Sequence, residues 1–284
     1  MRAEDLDGRS VTEMYELSHP LHERLWEQEG HRSYHHGLYE GEITEPDEAV
    51  ENMIETLADV VGIGEDDRVL NLGCGVGEDA VWLARERGCS VIGVNIHDRQ
   101  LELARAYATS EGVEDRVTVR NDDFHRLETV ADDSVDVVWG LEALCHSSDD
   151  DQVIAQARRV LGEGGRLVLA DLFRHRRELS DSEASRLEKL YNSWAVSYDP
   201  VPDLTDALER REFQTVETLD VSEAVRPSVE AGYRNSLYGY PYYRLLNLVG
   251  RADDRLVEIS IGGYHCYKLL DQETVGYYIV TATV

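Results

Sequence analysis

Hydrophobic residues follow two alternating rhythms in the first half of this chain. Short apolar runs predict β-strands at residues 68–72, 90–95, 117–120, 134–141 and 166–171. Apolar positions at helical spacing lie between these runs and predict helices at residues 78–87, 98–110 and 152–161. Strands that alternate with helices at this spacing predict a mostly parallel sheet with right-handed crossovers.

Two further helical patterns precede this unit. An amphipathic helix is predicted over residues 10–30, and residues 49–61 repeat its spacing before a glycine-rich stop. Residues 31–42, between the two helices, form a loop rich in histidine, tyrosine and glycine.

The regular alternation ends after Phe173. The later pattern predicts helices at 179–194 and 203–211, a strand at 213–221, an aromatic-rich segment to about Tyr243, a helical stretch to Ile259 and a strand at 276–284. The fold class is therefore an α/β protein with a seven-stranded, mostly parallel sheet, helices on both faces and an antiparallel edge hairpin. We expect residues 1–45 to form a helical segment with an active-site loop, residues 46–175 the ligand-binding core, and residues 176–284 a cap (about 179–259) plus the last strands. Such a cap lies over the carboxyl edge of the strands, where open α/β sheets bind ligands.

The excess of acidic residues limits the classes of partner that the chain is expected to bind. The chain has 57 acidic and 28 basic residues, a net charge of -29, and only two of its basic residues are lysines. A protein adapted to a high-salt cytoplasm is the favoured interpretation, and an acidic surface that recruits a cationic partner is the alternative. At molar salt the Debye length is ~3 Å, so steering of a cationic partner would nearly vanish. Nucleic acid is not expected as a partner, because phosphate contacts need a basic footprint.

The spacing of the cysteines and the composition of the first residues favour a reducing cytosol. The four cysteines are far apart and form no C-x-x-C pair, so neither a disulfide framework nor a cysteine metal site is predicted. The first residues are polar and acidic, unlike a signal peptide, and no apolar run approaches the length of a membrane span.

A glycine turn follows the first predicted strand, in the sequence Val69-Leu-Asn-Leu-Gly-Cys-Gly-Val-Gly77. Glu78 stands where a third dinucleotide-fold glycine would be, and a carboxylate there would repel a pyrophosphate on the helix N-terminus. A ligand with one carboxylate and a positive centre, such as S-adenosylmethionine (SAM), is tolerated better. The alternative interpretation of these glycines is a plain turn after a buried strand.

Two polar positions suit the other parts of such a ligand. Asn95, at the tip of the second strand, supplies an acceptor for a ribose diol, and Gln100 is one helical turn away. Asn95 also suits an N-terminal cap for the next helix, and both roles can coexist. After the third strand, Asp123 suits an adenine amino group and Phe124 the adenine ring, with a loop acid and a core aromatic as the alternative.

The motifs together resemble a known family. They are Asn71-Leu-Gly-Cys-Gly-Val-Gly77, Gly93-Val-Asn-Ile-His-Asp-Arg-Gln100, Asp122-Asp-Phe124, Leu141-Glu-Ala-Leu-Cys-His146 and the loop His35-His-Gly-Leu-Tyr39. The chain is similar to the class I SAM-dependent methyltransferases, in the small-molecule branch with sterol and tocopherol C-methyltransferases and sarcosine/dimethylglycine N-methyltransferases. The similarity covers residues 30–175 well, the last strand moderately and the cap hardly at all.

The resemblance implies a Rossmann-like fold with SAM as cofactor and S-adenosylhomocysteine as product. By position, the implied cofactor contacts are Asn71, Gly73, Cys74, Gly75, Asn95, Ile96, Gln100, Asp122, Asp123, Phe124 and Leu141. The family usually has Asp in place of Asn71, where it helps to hold the methionine end. Asn71 keeps the hydrogen-bonding shape and loses the charge.

Catalytic candidates follow from the same resemblance. It places Glu142 and His146 near the transferable methyl group, and their spacing of four would put them on one face of a helical turn. His146 has a pKa suited to accepting a proton, and the alternatives are a packing role for His146 and a solvated Glu142. His35, His36 and Tyr39 would close over the sulfonium, or lie in a surface loop. No metal is expected, because no carboxylate or cysteine stands beside these histidines at ligand spacing.

The expected function is transfer of a methyl group from SAM to N or C of a small molecule. The cap supplies the acceptor site, and its tyrosines suit either an amine cation or a planar or isoprenoid molecule. Isoprenoid or quinone C-methylation and a non-catalytic SAM-binding protein are the alternatives, while the glycine spacing speaks against an NAD-dependent oxidoreductase. A monomer or homodimer without a membrane span is expected.

Overall fold

The computed structural model describes residues 11–19 and 32–284. Residues 11–19 are helical and are called α1. The remaining elements are α2 (Pro46–Val60), β1 (Arg68–Leu72), α3 (Glu78–Trp82, continued by a π-helical turn, Leu83–Arg87), β2 (Ser90–Asn95), α4 (Asp98–Ser110), β3 (Val117–Asn121), β4 (Val135–Leu141), a 3₁₀ turn (Leu144–His146), α5 (Asp150–Val160), β5 (Leu161–Arg174), α6 (Asp181–Trp194), α7 (Val201–Arg210), β6 (Gln214–Asp220), α8 (Ser222–Leu248), α9 (Asp254–Ser260), α10 (Gly262–Asp271) and β7 (Val275–Thr283).

The strands form one seven-stranded sheet in the order β3-β2-β1-β4-β5-β7-β6. β1 to β5 pair in parallel, and β7 runs antiparallel between β5 and β6. The expected fold class is confirmed. The last two strands pair as expected, but three helices separate them along the chain, so they do not form a tight hairpin.

Helices cover both faces of the sheet because side chains alternate along each strand. Val69, Val137 and Val168 point to the face covered by α2, α3, α4, α6 and α10. Leu70, Val138 and Leu167 point to the other face, which α5 and α7 cover. Because apolar residues point to both faces, the central strands are hydrophobic throughout. Their ends can therefore be predicted from where each apolar run begins and stops in the sequence.

The fifth strand starts earlier than the sequence indicates. It was expected at residues 166–171, after a Gly-Glu-Gly-Gly turn, and it runs from Leu161 to Arg174. Its pairing with β4 shifts between Leu161, which faces Val135, and Arg166, which faces Val137. The glycines therefore form an irregularity within the strand rather than a turn before it.

The cap contains more helix than expected. The aromatic-rich segment to Tyr243 is not a separate stretch, because it belongs to α8, a helix of 27 residues with Pro227 and Pro241 inside it. The prolines do not end this helix, since it packs along α10, where Gly232 and Gly263 are in close contact. Of the helix predicted over residues 10–30, residue 10 and residues 20–30 lie outside the described residues. No helix in the described part of the chain is long and apolar enough to cross a membrane.

Candidate active site

A cavity of about 810 Å³ opens at the carboxyl edge of the parallel strands. Its floor comes from the residues that follow β1 to β4, one side from α1 and residues 32–36, and the other side from α6, α8 and the α9–α10 region. Among the described residues that line it, six are carboxylic acids and one is an arginine: Glu78, Asp79, Asp122, Asp123, Glu142, Asp171 and Arg32. This balance favours a ligand with a positive charge.

The glycine turn after β1 is a backbone cradle in the cavity floor. Gly73 and Gly75 line the cavity and have φ angles of +63° and +52°, in the left-handed region that favours glycine. Gly93 on β2 lies directly behind the turn, and a Cβ there would come within 2.8 Å of the Cys74 Sγ. The absence of a side chain at Gly93 therefore leaves room for Cys74 in the turn.

Asn71 lies beneath this cradle and does not line the cavity. It is 1% exposed, and its side-chain amide lies against the buried carboxyl of Asp79, where it counteracts the burial that raises the pKa of Asp79. Asp79, unlike Asn71, does line the cavity. Glu78 does line the cavity and accepts a hydrogen bond from the Arg32 amide at 3.0 Å. Burial raises the pKa of Glu78 to about 7.

The two polar residues after β2 contact each other. Asn95 donates from Nδ2 to Gln100 Oε1 at 2.8 Å, and its Oδ1 accepts from the His97 amide at 3.2 Å. Asn95 is not a helix cap, because His97 occupies the N-cap position of α4 without a side-chain bond. Both side chains line the cavity together with Ile96, as a ribose site requires.

The two acids after β3 have different roles. Asp122 is buried and accepts from the Glu128 and Thr129 amides and the Thr129 hydroxyl, so it holds its own loop even though it lines the cavity. Asp123 is more exposed, and His125 holds its pKa below the ordinary value. Asp123, beside Phe124, is therefore the better candidate for the adenine contact.

His125 joins the residues after β3 to the loop after β4. Its Nδ1 is 2.7 Å from Asp123 Oδ1, and its Nε2 is 3.1 Å from the hydroxyl of Ser147, the residue after His146. The Ser147 side chain is almost fully buried, so the three residues form a structural link between two loops.

Glu142 is the anionic centre of the cavity. Its Oε1 accepts from the His36 amide at 2.6 Å, from His36 Nδ1 at 2.9 Å and from the Tyr277 hydroxyl at 2.9 Å. Burial alone would raise the pKa of Glu142, but the charge and hydrogen bonds of His36 hold it below its ordinary value. Burial would lower the pKa of His36, but Glu142 raises it well above normal. The pair is therefore ionised, and Glu142 adopts a left-handed φ of 47° to make it.

His146 is held as a neutral base. Its Nδ1 is 2.9 Å from the Ala195 carbonyl oxygen, which only accepts, so Nδ1 carries the proton. Its Nε2 is left as an acceptor and lies 2.9 Å from the Tyr15 hydroxyl. Burial lowers the pKa of His146 and raises that of Tyr15, so Tyr15 is the donor. The Nε2 lone pair is therefore occupied by the Tyr15 hydroxyl, and both residues line the cavity.

The expected shared face of Glu142 and His146 is not present. Only Leu144–His146 form a 3₁₀ turn, and the left-handed φ of Glu142 directs its side chain to His36 rather than along a helix with His146. Both residues still line the same cavity, and so does Leu141. Tyr39 does not line it, because its segment is tied to the cap through the Ala224 carbonyl.

The sequence did not reveal three of the contributors. Tyr15 and Tyr277 bond to residues 131 and 135 positions away. Asp171, in β5, accepts from the Cys145 amide at 2.9 Å, and burial followed by the nearby charge of Glu142 raises its pKa to about 7. A buried tyrosine needs a hydrogen-bond partner, and this was the one available signal for Tyr277.

The cap side of the cavity is built from small residues and aromatic rings. A Cβ on Gly263 would meet the Gly232 carbonyl oxygen at 2.4 Å, so α8 and α10 cross in close contact. Tyr238 and Tyr243 line the cavity next to this crossing. Tyr233 does not, since it stacks on Tyr267 with ring centroids 4.5 Å apart. In the described part of the chain no group of three His, Cys, Asp or Glu side chains is placed to hold a metal ion.

Comparison with known proteins agrees with this geometry. Residues 70–169 match the family described as methyltransferase domain. Methyltransferase GfsG of Streptomyces halstedii is 40% identical over 182 residues, and the match covers 64% of this chain and 65% of that protein. The 27-O-demethylrifamycin SV methyltransferase of Amycolatopsis mediterranei is 29% identical over 270 residues, with 94% of each chain covered.

Other relatives extend the range of chemistry. The S-adenosyl-L-methionine-dependent Diels-Alderase iccD of Talaromyces variabilis is 30% identical over 210 residues, which cover 71% of this chain and 72% of that protein. Sterol 24-C-methyltransferases and a glycine/sarcosine/dimethylglycine N-methyltransferase also match, as the sequence motifs imply. The crystal structure of the [4+2]-cyclase SpnF has the same fold, with a TM-score of 0.78, 22% identity and coverage of 99% of this chain and 96% of that one.

Proposed function

Because the chain belongs to the SAM-dependent methyltransferases, we propose that it transfers the methyl group of SAM to a nitrogen or carbon atom of a small, largely apolar molecule. Bound SAM supplies a methyl group on a positively charged sulfur. In this proposal the cradle of Gly73, Cys74 and Gly75 receives the methionine end above Asn71, and Asn95 with Gln100 receives the ribose. Asp123 and Phe124 hold the adenine.

The observation that carries the proposal is the state of His146. It is neutral, its tautomer is fixed by the Ala195 carbonyl, and its Nε2 accepts from the Tyr15 hydroxyl in the wall of the cavity, where an acceptor that displaces this hydroxyl would meet the lone pair. Such a group accepts the proton that an acceptor atom loses when it gains a methyl group. In support, His146 lines the same cavity as the glycine cradle, and Ala143 on its loop lies against Gly73.

The His36–Glu142 pair has a supporting role in this proposal. His36 neutralises Glu142, and Tyr277 donates to the same carboxylate oxygen, so Glu142 is not available as the base. The pair instead fixes the loop of residues 35–37 across the top of β4. This arrangement counts against isoprenoid or quinone C-methylation through a joint Glu142–His146 base.

A hydroxyl acceptor is a second candidate, and the Tyr15 contact favours it. The Tyr15 oxygen is 2.9 Å from His146 Nε2, so a hydroxyl already occupies the position from which a proton would be taken. An acceptor hydroxyl that displaced Tyr15 would meet the same lone pair. The relative from Amycolatopsis mediterranei, named for 27-O-demethylrifamycin SV, is compatible with this candidate.

An extract of the source organism provides the test. The protein is incubated with methyl-labelled SAM and fractionated extract in high KCl, and the labelled product is identified by mass. Label on an N or C atom supports the first candidate and label on oxygen supports the second. Binding of SAM without transfer to any fraction would overturn both and leave a non-catalytic or cyclase-like SAM-binding protein.

Two variants then test the base. His146→Ala is expected to lower turnover by about 10²–10⁴-fold, the range for loss of a general base, while SAM affinity measured by calorimetry stays unchanged. Tyr15→Phe keeps the ring and removes only the hydroxyl, so it serves as the matched control and should retain far more activity. Equal turnover in His146→Ala and wild type would remove His146 from the mechanism.

The acid excess supports a cytoplasm of high salt as the place of action. Carboxylates spread along the whole chain keep a protein hydrated where electrostatic repulsion is screened. We expect activity to persist at molar KCl in a monomer or homodimer, and activity assays across a salt series with sedimentation analysis test both points.

A further inference from the structure

The exposed apolar surface of this protein is concentrated on one helix. Eight large apolar side chains are strongly exposed among the described residues, and six of them lie between positions 237 and 249. These six are Leu237, Tyr238, Tyr242, Leu245, Leu248 and Val249, and together they are called the α8 patch. Their exposed fractions run from 48% to 79%, so no element in the described part of the chain covers them.

The α8 patch has an ordered arrangement. Tyr238, Tyr242, Leu245 and Val249 follow the spacing that places residues on one face of a helix. Large apolar faces of this kind on soluble proteins mark contact surfaces for other molecules.

The charge of the same segment is opposite to that of the rest of the protein. Residues 231–252 contain no Asp or Glu and three arginines, Arg234, Arg244 and Arg251, in a chain with 57 acids and a net charge of -29. Tyrosines, leucines and arginines on one helix are the combination found where helices lie in a membrane interface. The arginines suit lipid phosphates, and the tyrosines suit the boundary between headgroups and acyl chains.

The α8 patch also lies at the mouth of the cavity. Tyr238 belongs to the patch and lines the cavity, and Gly239 and Tyr243 on the same helix line it too. A molecule that left a surface in contact with the patch would pass Tyr238 to reach His146.

We propose that the α8 patch docks this protein on a lipid surface and that an apolar acceptor enters the cavity from that surface. A second copy is a less suitable occupant, because a two-fold contact through the same face would bring like arginines together between two strongly acidic chains. The proposed docking does not depend on the proposed methyl transfer. The proposed entry of the acceptor does rest on the proposed methyl transfer.

Co-flotation with phosphatidylcholine vesicles tests the docking. The variant Tyr242→Glu/Leu245→Glu places two carboxylates in the patch, away from the cavity lining. The bound fraction is expected to fall by at least about tenfold, since the patch loses apolar burial at both positions. Binding of the wild type should persist at about 1 M KCl, because apolar contact is not screened by salt.

The matched control is Val60→Glu/Leu219→Glu, which makes the same change at the two exposed apolar residues outside the patch. This control should bind vesicles like the wild type, and both double variants should bind SAM in calorimetry, which shows that the fold is intact. If the patch variant fails to fold, the single change Leu248→Glu, at a side chain that is 76% exposed, replaces it.

Three outcomes would overturn the proposal. The first is equal vesicle binding by the patch variant and the wild type. The second is wild-type binding that disappears at high salt. The third is a wild-type protein that does not bind vesicles but forms a dimer, which the patch change converts to a monomer. Loss of docking with SAM affinity intact supports the proposal whatever the acceptor is, so failure of the methyl-transfer assay would not be confused with failure of the docking.

Discussion

The floor of the cavity and its cap wall are built from different kinds of contact. The floor consists of strand ends and a left-handed backbone turn, with side chains that are buried and paired, as in the three hydrogen bonds to Glu142. The cap wall consists of a helix crossing at Gly232 and Gly263 and of rings such as Tyr238, which is 79% exposed.

In the proposed function, this difference follows from what each wall has to recognise. A cofactor of fixed shape needs backbone groups and polar atoms at fixed positions, and these come from strand ends that the sheet holds rigidly. An acceptor is met by rings and small residues, whose spacing can change without disturbing the sheet. The following substitutions test whether the floor affects only cofactor binding and the cap wall only acceptor binding.

The largest effect is expected from Gly75→Asp in the floor. A side chain at φ +52° strains the backbone by roughly 1–2 kcal/mol. It would also project where the ligand must approach, towards the Tyr34 ring at 3.9 Å. SAM affinity measured by calorimetry should fall by at least about a hundredfold.

Gly112→Asp is the matched control for Gly75→Asp. Gly112 also has a left-handed φ, +71°, but it lies in an exposed turn with nothing within 4 Å of a Cβ. It carries the same strain without the ligand contact, so SAM affinity should be normal. Retained SAM binding in Gly75→Asp would overturn the cofactor assignment.

The corresponding change in the cap wall is Gly263→Ala. The new Cβ would lie 2.4 Å from the Gly232 carbonyl oxygen, so α8 and α10 must move apart, at a cost of about 1–3 kcal/mol in the free energy of unfolding. The melting temperature should fall, and the KM for the acceptor should rise while SAM affinity stays the same. Gly64→Ala, where nothing lies within 4 Å and φ is not left-handed, should change neither quantity. A parallel loss of SAM affinity in Gly263→Ala would show that the walls are coupled.

The contrast between the walls also explains what the sequence revealed. The ends of β1 and β2 and of α4 match the predicted ones, because apolar runs bounded by turn residues reflect local energetics. The predicted extent of α8 was wrong, since two prolines and many tyrosines favour a break locally, whereas packing against α9 and α10 supports one continuous helix.

The pairings of side chains were the least predictable part of the site. His146 was found as a candidate, but its donor Tyr15 is 131 residues away. The helical spacing of apolar residues in α1 does not indicate which residue Tyr15 contacts. Glu142 was found too, yet its left-handed φ and its contact with His36 depend on how β4 meets the loop of residues 35–37. Such contacts are set by tertiary structure and not by local pattern.

A smaller, pH-dependent effect is expected from Glu78 in the floor. Burial raises its pKa from 4.5 to about 7, so the folded chain holds this proton between those values and the unfolded chain does not. Without ligand, Glu78 therefore favours the folded state below about pH 4.5, and this contribution is lost as the pH rises to about 7.

SAM binding should depend on the same proton in the opposite direction. A cationic ligand prefers the ionised carboxylate, so SAM affinity should rise by up to about tenfold between about pH 6 and about pH 8, and proton release should accompany binding. Glu78→Gln should flatten this dependence in calorimetry. An equally steep rise in Glu78→Gln would assign the proton to another group, such as Asp171.

The smallest effect is expected from Asn71→Asp, which restores the acid that the family usually has. The new carboxyl would be buried close to Asp79, whose pKa burial already raises, and two buried carboxyls in one place oppose each other's ionisation. Near pH 7 the new group would be largely neutral, so SAM affinity should change by less than about threefold and increase only at higher pH. Asn235→Asp is the same substitution on the cap wall of the same cavity, where it should leave SAM affinity unchanged at every pH. If both substitutions shifted SAM affinity alike, the charge of the whole cavity rather than the architecture of its floor would determine how the cofactor is held.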